Sequence, residues 1–340
     1  MNHTENIIKC FKILINKTLA LDEKGGSFKI REYTDTIKAI SMYDKDIYTL
    51  EDVRFILEDY GKKNPIKTLK KIKEIIETGT LDVVEKAKQN PLVIAVSNLT
   101  KVYSIGNKKA IQLYNEYGIM NINQLKEYAN KDNSIIHKKQ WIGLNYYDDL
   151  LKRIPRNEML DYEKTLKDIA NDVDIHIKLS INGSFRRECE TSGDIDVLIT
   201  SNNPNSRKLF INRLKQDKII IETLASGNKK FMGISKLNGY NTYRHIDIIA
   251  TTIEEFSFGV LYFTGSGGFN VKMRRHALNL GYTLNEYQLS HYKTKKILTP
   301  EEIFKKIGKY YFEEEVDIFN FLDMEYIQPI YRNNITSTKI

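Results

Sequence analysis

The pattern of apolar and polar residues divides the chain near its middle. In the first half, apolar positions recur at helical spacing. Leu69, Ile72, Ile75 and Ile76 line one face of a helix that Gly79 stops. The segment VYSIGNKKAIQLYNEYGI, Val102 to Ile119, has a glycine turn feeding a helix that ends near Gly118, and Pro91 and Pro155 mark boundaries. From about Ile175 the texture changes. HIKLSING, DVLIT, KIIIETL, KKFMGISKL and RHIDIIA are short runs rich in Ile, Leu and Val, bounded by Gly, Asn or Ser, and they predict strands. The last third mixes helices with short strands, and no solenoid repeat or long low-complexity tract interrupts it. Strands grouped behind a helical half predict an α+β chain, with a mixed catalytic unit following a helical one.

Composition narrows the classes. A chain of 340 residues can hold two or three modules with cores of their own. Its 41% hydrophobic and 28% charged content is that of a soluble globular protein. No apolar run is long enough to cross a bilayer, and the start MNHTENIIKC does not resemble a secretory signal. With only Cys10 and Cys189, a disulfide framework and a four-cysteine zinc site are excluded, and an intracellular, reducing setting is expected. The balance of 52 Lys+Arg against 44 Asp+Glu suits a polyanionic partner. Between Gly61 and Asn90, eight lysines (Lys62, Lys63, Lys67, Lys70, Lys71, Lys73, Lys86, Lys88) face four acids. Taken alone, that run reads as a solvated helix face.

Chemistry concentrates in GSFRRECETSGDIDVLIT, Gly183 to Thr200. A strand would place Asp194 and Asp196 on one face, where two unpaired carboxylates repel unless a cation sits between them. Hard oxygen donors suit Mg²⁺, which shares its coordination with substrate phosphates. Asp247, flanked by Ile246, Ile248 and Ile249, adds a third acid, and three carboxylates on neighbouring strands can hold two metals for nucleotidyl transfer. Upstream, Gly183-Ser184 follows a strand-like run and can open a helix whose N–H groups meet phosphate. Ser184 adds a hydroxyl, and Arg187 a guanidinium fork. A lone D-x-D is most often an edge strand or a structural ion pair. The ordered succession of Gly-Ser, paired arginines, D-x-D and a later strand acid separates this segment from that ordinary case.

With these residues the chain resembles the family X DNA polymerases, nearest to their beta-type members. The resemblance continues through KRIPRNEML (Lys152 to Leu160), KKFMG (Lys229 to Gly233), RHIDI (Arg244 to Ile248), and GVLYFTGS with FNVKMRRHALNLGYTLNEY (Gly259 to Tyr287). It is specific from about residue 91 to 287, looser from about 25 to 90, and weak in the final fifty residues. There YIQPIYR resembles the family's carboxyl-terminal ending, and KYYFEEEVDIFNFLDMEY looks longer than the beta-type equivalent. The implied organisation is a helical, lyase-like, gapped-DNA-binding domain (1–90), a helix-hairpin-helix DNA-binding subdomain (91–155), a mixed-sheet nucleotidyltransferase-type palm (156–253) and a carboxyl-terminal α/β nucleotide-selection subdomain (254–340).

The resemblance also implies roles. Asp194, Asp196 and Asp247 would bind two Mg²⁺ ions, with Mn²⁺ an acceptable substitute; Asp247 would touch only the catalytic metal and accept the primer 3′-OH proton. Arg153, Gly183, Ser184, Arg187, Ser192 and Gly193 would contact the triphosphate. Tyr262, Phe263, Thr264 and Gly265 would line the sugar, Asn270 would read the minor-groove edge of the incoming base, and Arg274 would meet the template strand. Two departures stand out. Gly267-Gly268 replaces the aspartate that follows Gly-Ser in beta-like enzymes and predicts a more flexible loop. His245 stands where an arginine usually helps position the strand aspartate, so the closing step is expected to differ. The short NGYNTY connection favours template-directed synthesis, and no BRCT-like region is expected ahead of the core.

In the helical half, VYSIGNKKA resembles a helix-hairpin-helix whose glycine pair is reduced to Ser104 and Gly106, with Lys108 beside them. Its N–H groups would hold a DNA phosphate, and the carbonyls of Thr100, Val102 and Ile105 a Na⁺ or K⁺ ion, without regard to base identity. Read alone, the segment is as well an ordinary helical hairpin. KKIKEIIETGTL resembles the beta-type amino-terminal domain. Matching at ETGTL puts Lys71 at the Schiff-base position, Lys67 and Lys29 at phosphate-binding positions and Tyr33 at a neighbouring aromatic, with Lys70 the competing amine. Surrounding cations favour a neutral, nucleophilic lysine.

The expectation is thus an intracellular, monomeric, template-directed polymerase filling short gaps in base excision repair, with 5′-deoxyribose-phosphate lyase activity. Its partners would be gapped or nicked double-stranded DNA, deoxynucleoside triphosphates, DNA ligase and other repair proteins, and no membrane. A template-independent or other nucleotidyltransferase and a catalytically silent DNA-binding scaffold are the alternatives. The YFTG segment and short strand connection weigh against the first, and the acid triad against the second.

Overall fold

The helical half forms one unit, Met1–Tyr147, and the remainder, Asp148–Ile340, a second. The structure, a computed structural model, describes residues 2–21, 25–41, 43, 46–62 and 64–333; Lys63 of the lysine run lies outside them. The first unit comprises α1 (Thr4–Ala20), α2 (Gly26–Ser41), α3 (Leu50–Asp59), α4 (Ile66–Thr78), α5 (Asp82–Gln89), α6 (Pro91–Leu99), α7 (Asn107–Tyr117), α8 (Ile122–Lys131) and α9 (Lys138–Asn145). In α4 the predicted stripe is the buried one: Leu69, Ile72 and Ile75 join Ile7, Phe11, Leu14 and Tyr33 in a core, and Gly79, at φ +82°, ends the helix in the left-handed region. Asn90 accepts hydrogen bonds from Leu92 N and Val93 N, and Pro91 occupies the first turn, so α6 starts where the proline suggested. A second core gathers Val93, Val96, Leu99, Val102, Leu113 and Leu125. Between α6 and α7 the hairpin turns through Ser104 at φ +67°, a conformation natural to glycine. There α9 packs so closely that a Cβ on Gly143 would lie 2.4 Å from the Tyr103 carbonyl oxygen.

The short helix α10 (Tyr147–Leu150) leads into β1 (Ile154–Pro155), α11 (Arg156–Val173), β2 (Lys178–Ile181), α12 (Gly183–Arg186), β3 (Thr191–Ser192), β4 (Ile195–Thr200) and α13 (Ser206–Gln216). Then come β5 (Ile220–Ser226), β6 (Lys230–Ser235) and β7 (Arg244–Ala250). All five predicted strand runs are present. They form one sheet in the order β2-β4-β7-β6-β5, in which β4 and β7 run parallel and the other neighbours antiparallel. Alternation along β4 and β7 sends Ile195, Val197, Ile199, Ile246 and Ile248 into a core with Tyr162 and Leu166 of α11 and Phe210 and Leu214 of α13. The opposite face carries Asp196 and Asp247. Asp194 differs from the expectation: β4 begins at Ile195, so this acid lies just ahead of the strand, exposed in a bend.

The last segment folds as α14 (Ile253–Thr264), α15 (Gly267–Asn279), β8 (Tyr282–Leu284), β9 (Leu289–His291), α16 (Pro300–Ile307), α17 (Glu315–Phe321) and a 3-10 turn, Pro329–Arg332. Gly259 lets α14 approach β4; a Cβ there would lie 2.8 Å from Leu198 Cδ2. The Gly267-Gly268 pair is not a loop. It forms the first turn of α15, because the Ser266 side chain caps the helix by accepting from Phe269 N. The long segment before the carboxyl terminus also has a physical role. Phe312 packs edge-on against Phe258 at 4.9 Å and Phe321 at 5.5 Å, and α17 buries Ile318, Phe319 and Phe321.

Candidate active site

Register brings the acids together. In the parallel pair, Asp196 stands directly opposite Asp247 and Ile195 opposite Ile246. The Gly-Ser turn is tied to the same strand, since Asn182 N donates to the Asp196 carbonyl at 2.8 Å. Gly183 has φ +62°, and a Cβ there would lie 2.9 Å from Asp196 Oδ2, so both backbone conformation and space demand glycine. Burial pushes the Asp196 carboxyl up to about 7, and the charges of Asp194 and Asp247 push it the same way; Lys230 and Arg187 oppose them. Asp247 is buried. Its Oδ2 accepts the Lys230 ammonium at 2.6 Å, His245 Nε2 lies 3.6 Å from its Oδ1, and that Oδ1 has no hydrogen-bond partner among the described residues.

A hard divalent cation fits this donor set: oxygen ligands, one buried oxygen left over, and mutual repulsion that only positive charge relieves. A ready-made cage is not present, because no three ligand side chains among the described residues already converge. Lys230 holds Asp247 in its place.

The residues expected to meet phosphate lie close to one another around the Gly-Ser turn. Ser184 Oγ and Ser192 Oγ lie 3.0 Å apart. Arg153 donates from Nε to Thr191 Oγ1 at 3.0 Å and from Nη2 to Thr191 O at 2.7 Å, and a Cβ on Gly193 would lie 3.4 Å from Arg153 Nη1. Arg153, Gly183, Ser184, Ser192 and Gly193 therefore form one neighbourhood. Behind it, Arg244 makes a buried two-pronged contact with Glu158, at 2.8 and 2.6 Å, and donates from Nη1 to the carbonyls of Lys152 and Arg153. The strand carrying Asp247 is thus clamped to the segment carrying Arg153.

Arg187 donates from Nη1 to Thr264 O and from Nε to Asn333 Oδ1, each at 2.6 Å, and burial lowers its pKa. Arg186 reaches Thr264 Oγ1 at 2.8 Å and pairs with Glu315, which also pairs with Arg332. In the segment expected to line the sugar, the rings of Tyr262 and Phe263 meet edge-on at 5.1 Å. Asn270 Nδ2 donates to Tyr262 O at 2.8 Å, and Arg274 lies over the Tyr262 ring at 5.1 Å and 3.6 Å from Glu286. Both polar side chains are held within the fold here.

In the helical unit, Lys71 is half-buried with its ammonium 6.0 Å from the centroid of Tyr33, while Lys67 and Lys70 are exposed. Lys29 stands one turn before Tyr33 on α2, and Thr68 of α4 donates to Glu32 at 2.5 Å. At the hairpin, Ser104, Gly106 and Lys108 are exposed, the Val102 carbonyl accepts from Ile105 N at 3.0 Å, and the Ser104 carbonyl accepts from Gln140 at 3.1 Å.

Sequence reasoning missed Lys230, Glu158, Arg244, Glu315, Arg332 and Asn333. All but Asn333 sit inside segments already singled out in the sequence (KRIPRNEML, KKFMG, RHIDI, KYYFEEEVDIFNFLDMEY and YIQPIYR), but nothing local marks these particular side chains or pairs them with their distant partners.

A five-stranded mixed sheet that presents opposed carboxylates from its parallel pair, beside a Gly-Ser turn and a cluster of arginines, defines a nucleotidyltransferase-type palm. Its particular kind follows from comparison. Residues 153–252 match the DNA polymerase beta palm, 259–333 the DNA polymerase beta thumb, and 97–151 the fingers domain of DNA polymerase lambda. The chain belongs to the family X DNA polymerases. It is 27% identical to DNA polymerase lambda of Arabidopsis thaliana over 96% of this chain and 62% of that protein, and 27% identical to DNA polymerase lambda of Rattus norvegicus over 92% of this chain and 54% of that one. The DNA polymerase type-X family protein pol4 of Schizosaccharomyces pombe is 25% identical over 91% of this chain and 61% of its own. The chain therefore spans a little over half the length of these relatives.

Proposed function

We propose that the chain is a template-directed DNA polymerase that fills short gaps during base excision repair, divided as lyase-like (1–90), helix-hairpin-helix (91–155), palm (156–253) and nucleotide-selection (254–340) regions. One observation carries this reading. Asp196 and Asp247 face each other across the parallel strand pair in a site whose burial and neighbouring carboxylates drive Asp196 up to about 7, and a divalent cation with its phosphate ligands would favour the ionised pair. Membership in a DNA polymerase family carries the general expectation of a divalent metal, DNA and deoxynucleotides. Asp194, Asp196 and Asp247 would hold two Mg²⁺ ions, which when bound neutralise phosphate charge and favour the ionised primer oxygen. Ser184, Ser192, Gly193, Arg153 and Arg187 hold the triphosphate, and Asp247 accepts the primer 3′-OH proton. The primer oxygen attacks the α-phosphorus in line, and pyrophosphate leaves.

The helical unit supports a second activity. The Lys71 amine attacks the aldehyde carbon of a 5′-deoxyribose phosphate and water leaves to give a Schiff base. Loss of the neighbouring C2′ proton then expels the 3′-phosphate, freeing the DNA end. The contact of Lys71 with Tyr33 on α2 favours Lys71 over the exposed Lys70. The hairpin around Ser104, Gly106 and Lys108, with a Na⁺ or K⁺ ion on the carbonyls of Thr100, Val102 and Ile105, holds backbone phosphates, and binding weakens steeply with salt. The test is single-nucleotide incorporation on an open primer-template and on a one-nucleotide gap with a 5′-phosphate, each deoxynucleotide supplied separately with Mg²⁺. Templated insertion, stronger on the gap, is expected. Untemplated addition, or none on either substrate, overturns the reading.

A further inference from the structure

Arg187, the guanidinium assigned to the triphosphate, is not simply displayed. Its Nε donates to Asn333 Oδ1 at 2.6 Å and its Nη1 to the Thr264 carbonyl at 2.6 Å, while Asn333 Nδ2 reaches back to the Arg187 carbonyl at 3.4 Å. Both acceptors are neutral. These two contacts fix its direction without adding to the one negative charge, that of Asp196, already near it, and a carboxylate in either place would add a second.

Asn333 is held there by its neighbour. Arg332 is fully buried, its guanidinium over the rings of Phe269, Phe319 and Tyr326, with Nε donating to Ile327 O at 2.8 Å and Nη2 paired with Glu315. Its carbonyl accepts from Ser266 Oγ at 2.6 Å. Glu315 in turn pairs with Arg186, the residue before Arg187. The segment that delivers Asn333 is therefore bolted to the same helix end that supplies the Thr264 carbonyl.

The geometry points to Asn333 as a positioning residue for substrate phosphate: it holds Arg187 by an uncharged contact, so that the guanidinium meets the triphosphate already oriented and with no added carboxylate against it. This rests on the reading of Arg187 as a triphosphate ligand. It makes the identity of residue 333 decisive, because an amide serves and an isosteric carboxylate does not.

The experiment measures the Kd of Mg·dTTP for the 340-residue chain on a one-nucleotide gap whose primer ends in a dideoxynucleotide, so that no chemistry follows. Asn333→Ala should raise Kd about tenfold, the effect of losing one hydrogen bond to a charged group. Asn333→Asp should raise it on the order of a hundredfold, since the new charge both neutralises Arg187 and repels the phosphates. Thermal melting of both variants guards against a change of fold. In an Arg187→Ala background the Asn333→Ala effect should vanish, which a merely structural role for Asn333 would not produce. Equal Kd for Asn333, Ala and Asp overturns the inference, as does an Asn333→Ala effect that survives without Arg187. A chain that shows the expected Kd pattern yet extends no ordinary primer supports the positioning role and refutes the polymerase reading.

Discussion

The acid pair at the palm should make the metal-free chain unstable above neutral pH, and Asp196→Asn should relieve it. Asp196 rises from an ordinary 3.8 to about 7 in the fold, chiefly by burial and then by the charges of Asp194 and Asp247. Between those two values the folded chain binds a proton that the unfolded chain has released. The stability contribution is therefore complete below about pH 4 and is lost as pH rises through 7. Three units at 1.36 kcal/mol each set a ceiling of about 4 kcal/mol, and relaxation of the site brings the expected range to about 2–4 kcal/mol. Asparagine keeps the shape and cannot ionise. At pH 8 in EDTA the variant should melt about 5–15 °C above the parent, given ~2–4 °C per kcal/mol for a unit of this size. The difference should shrink toward pH 4.5, and Mg²⁺ should narrow it at pH 8 by stabilising the parent alone, while incorporation is lost. Thermal denaturation across pH 4.5–8.5, with and without Mg²⁺, measures all of this. A variant no more stable than the parent at pH 8, or equally stabilised at both ends of the range, would refute the reasoning.

Other substitutions probe separate parts. Gly183→Ala places a Cβ against Asp196 Oδ2 at a positive φ and should cost about 1–3 kcal/mol in urea denaturation together with most of the incorporation activity; a variant within error of the parent in both would show that the turn has room to shift. Glu158→Gln leaves the Arg244 guanidinium buried beside a neutral partner and should destabilise by about 3–5 kcal/mol, read from the denaturation midpoint. Lys71→Ala should spare primer extension and stop borohydride trapping to an incised abasic site; trapping that survives would transfer the role to Lys70 or another amine.

The strand half was legible because its runs are short, apolar and bracketed by Gly, Asn and Ser, and because a buried parallel pair such as β4 and β7 needs continuous Ile and Val. The acids within those runs stood out against that background. What escaped was the set of contacts formed by distant polar residues. Arg244 and Glu158 lie 86 residues apart and Arg187 and Asn333 146 apart, and no local pattern links them. Arg332 ran against the general preference of arginine for the surface, since its aromatic surroundings, the Glu315 pair and the Ile327 carbonyl make burial tolerable. Asp194 shows the limit of alternation as a guide. The D-x-D spacing implied a shared strand face, but the chain bends at Gly193 and Asp194 before pairing begins.

The register of β7 has a consequence for how such a chain can change over generations. Asp247 is placed by ladders on both sides, Asp196 on β4 and Met232 on β6, whereas the connection through Leu237–Tyr243 lies outside the ladder. Residues added to or removed from that connection leave every rung where it was. A single insertion inside β7 would instead turn the acid into the core. Length variation, and whatever new contacts it brings, can therefore accumulate beside the acids while their own spacing stays sealed off from it.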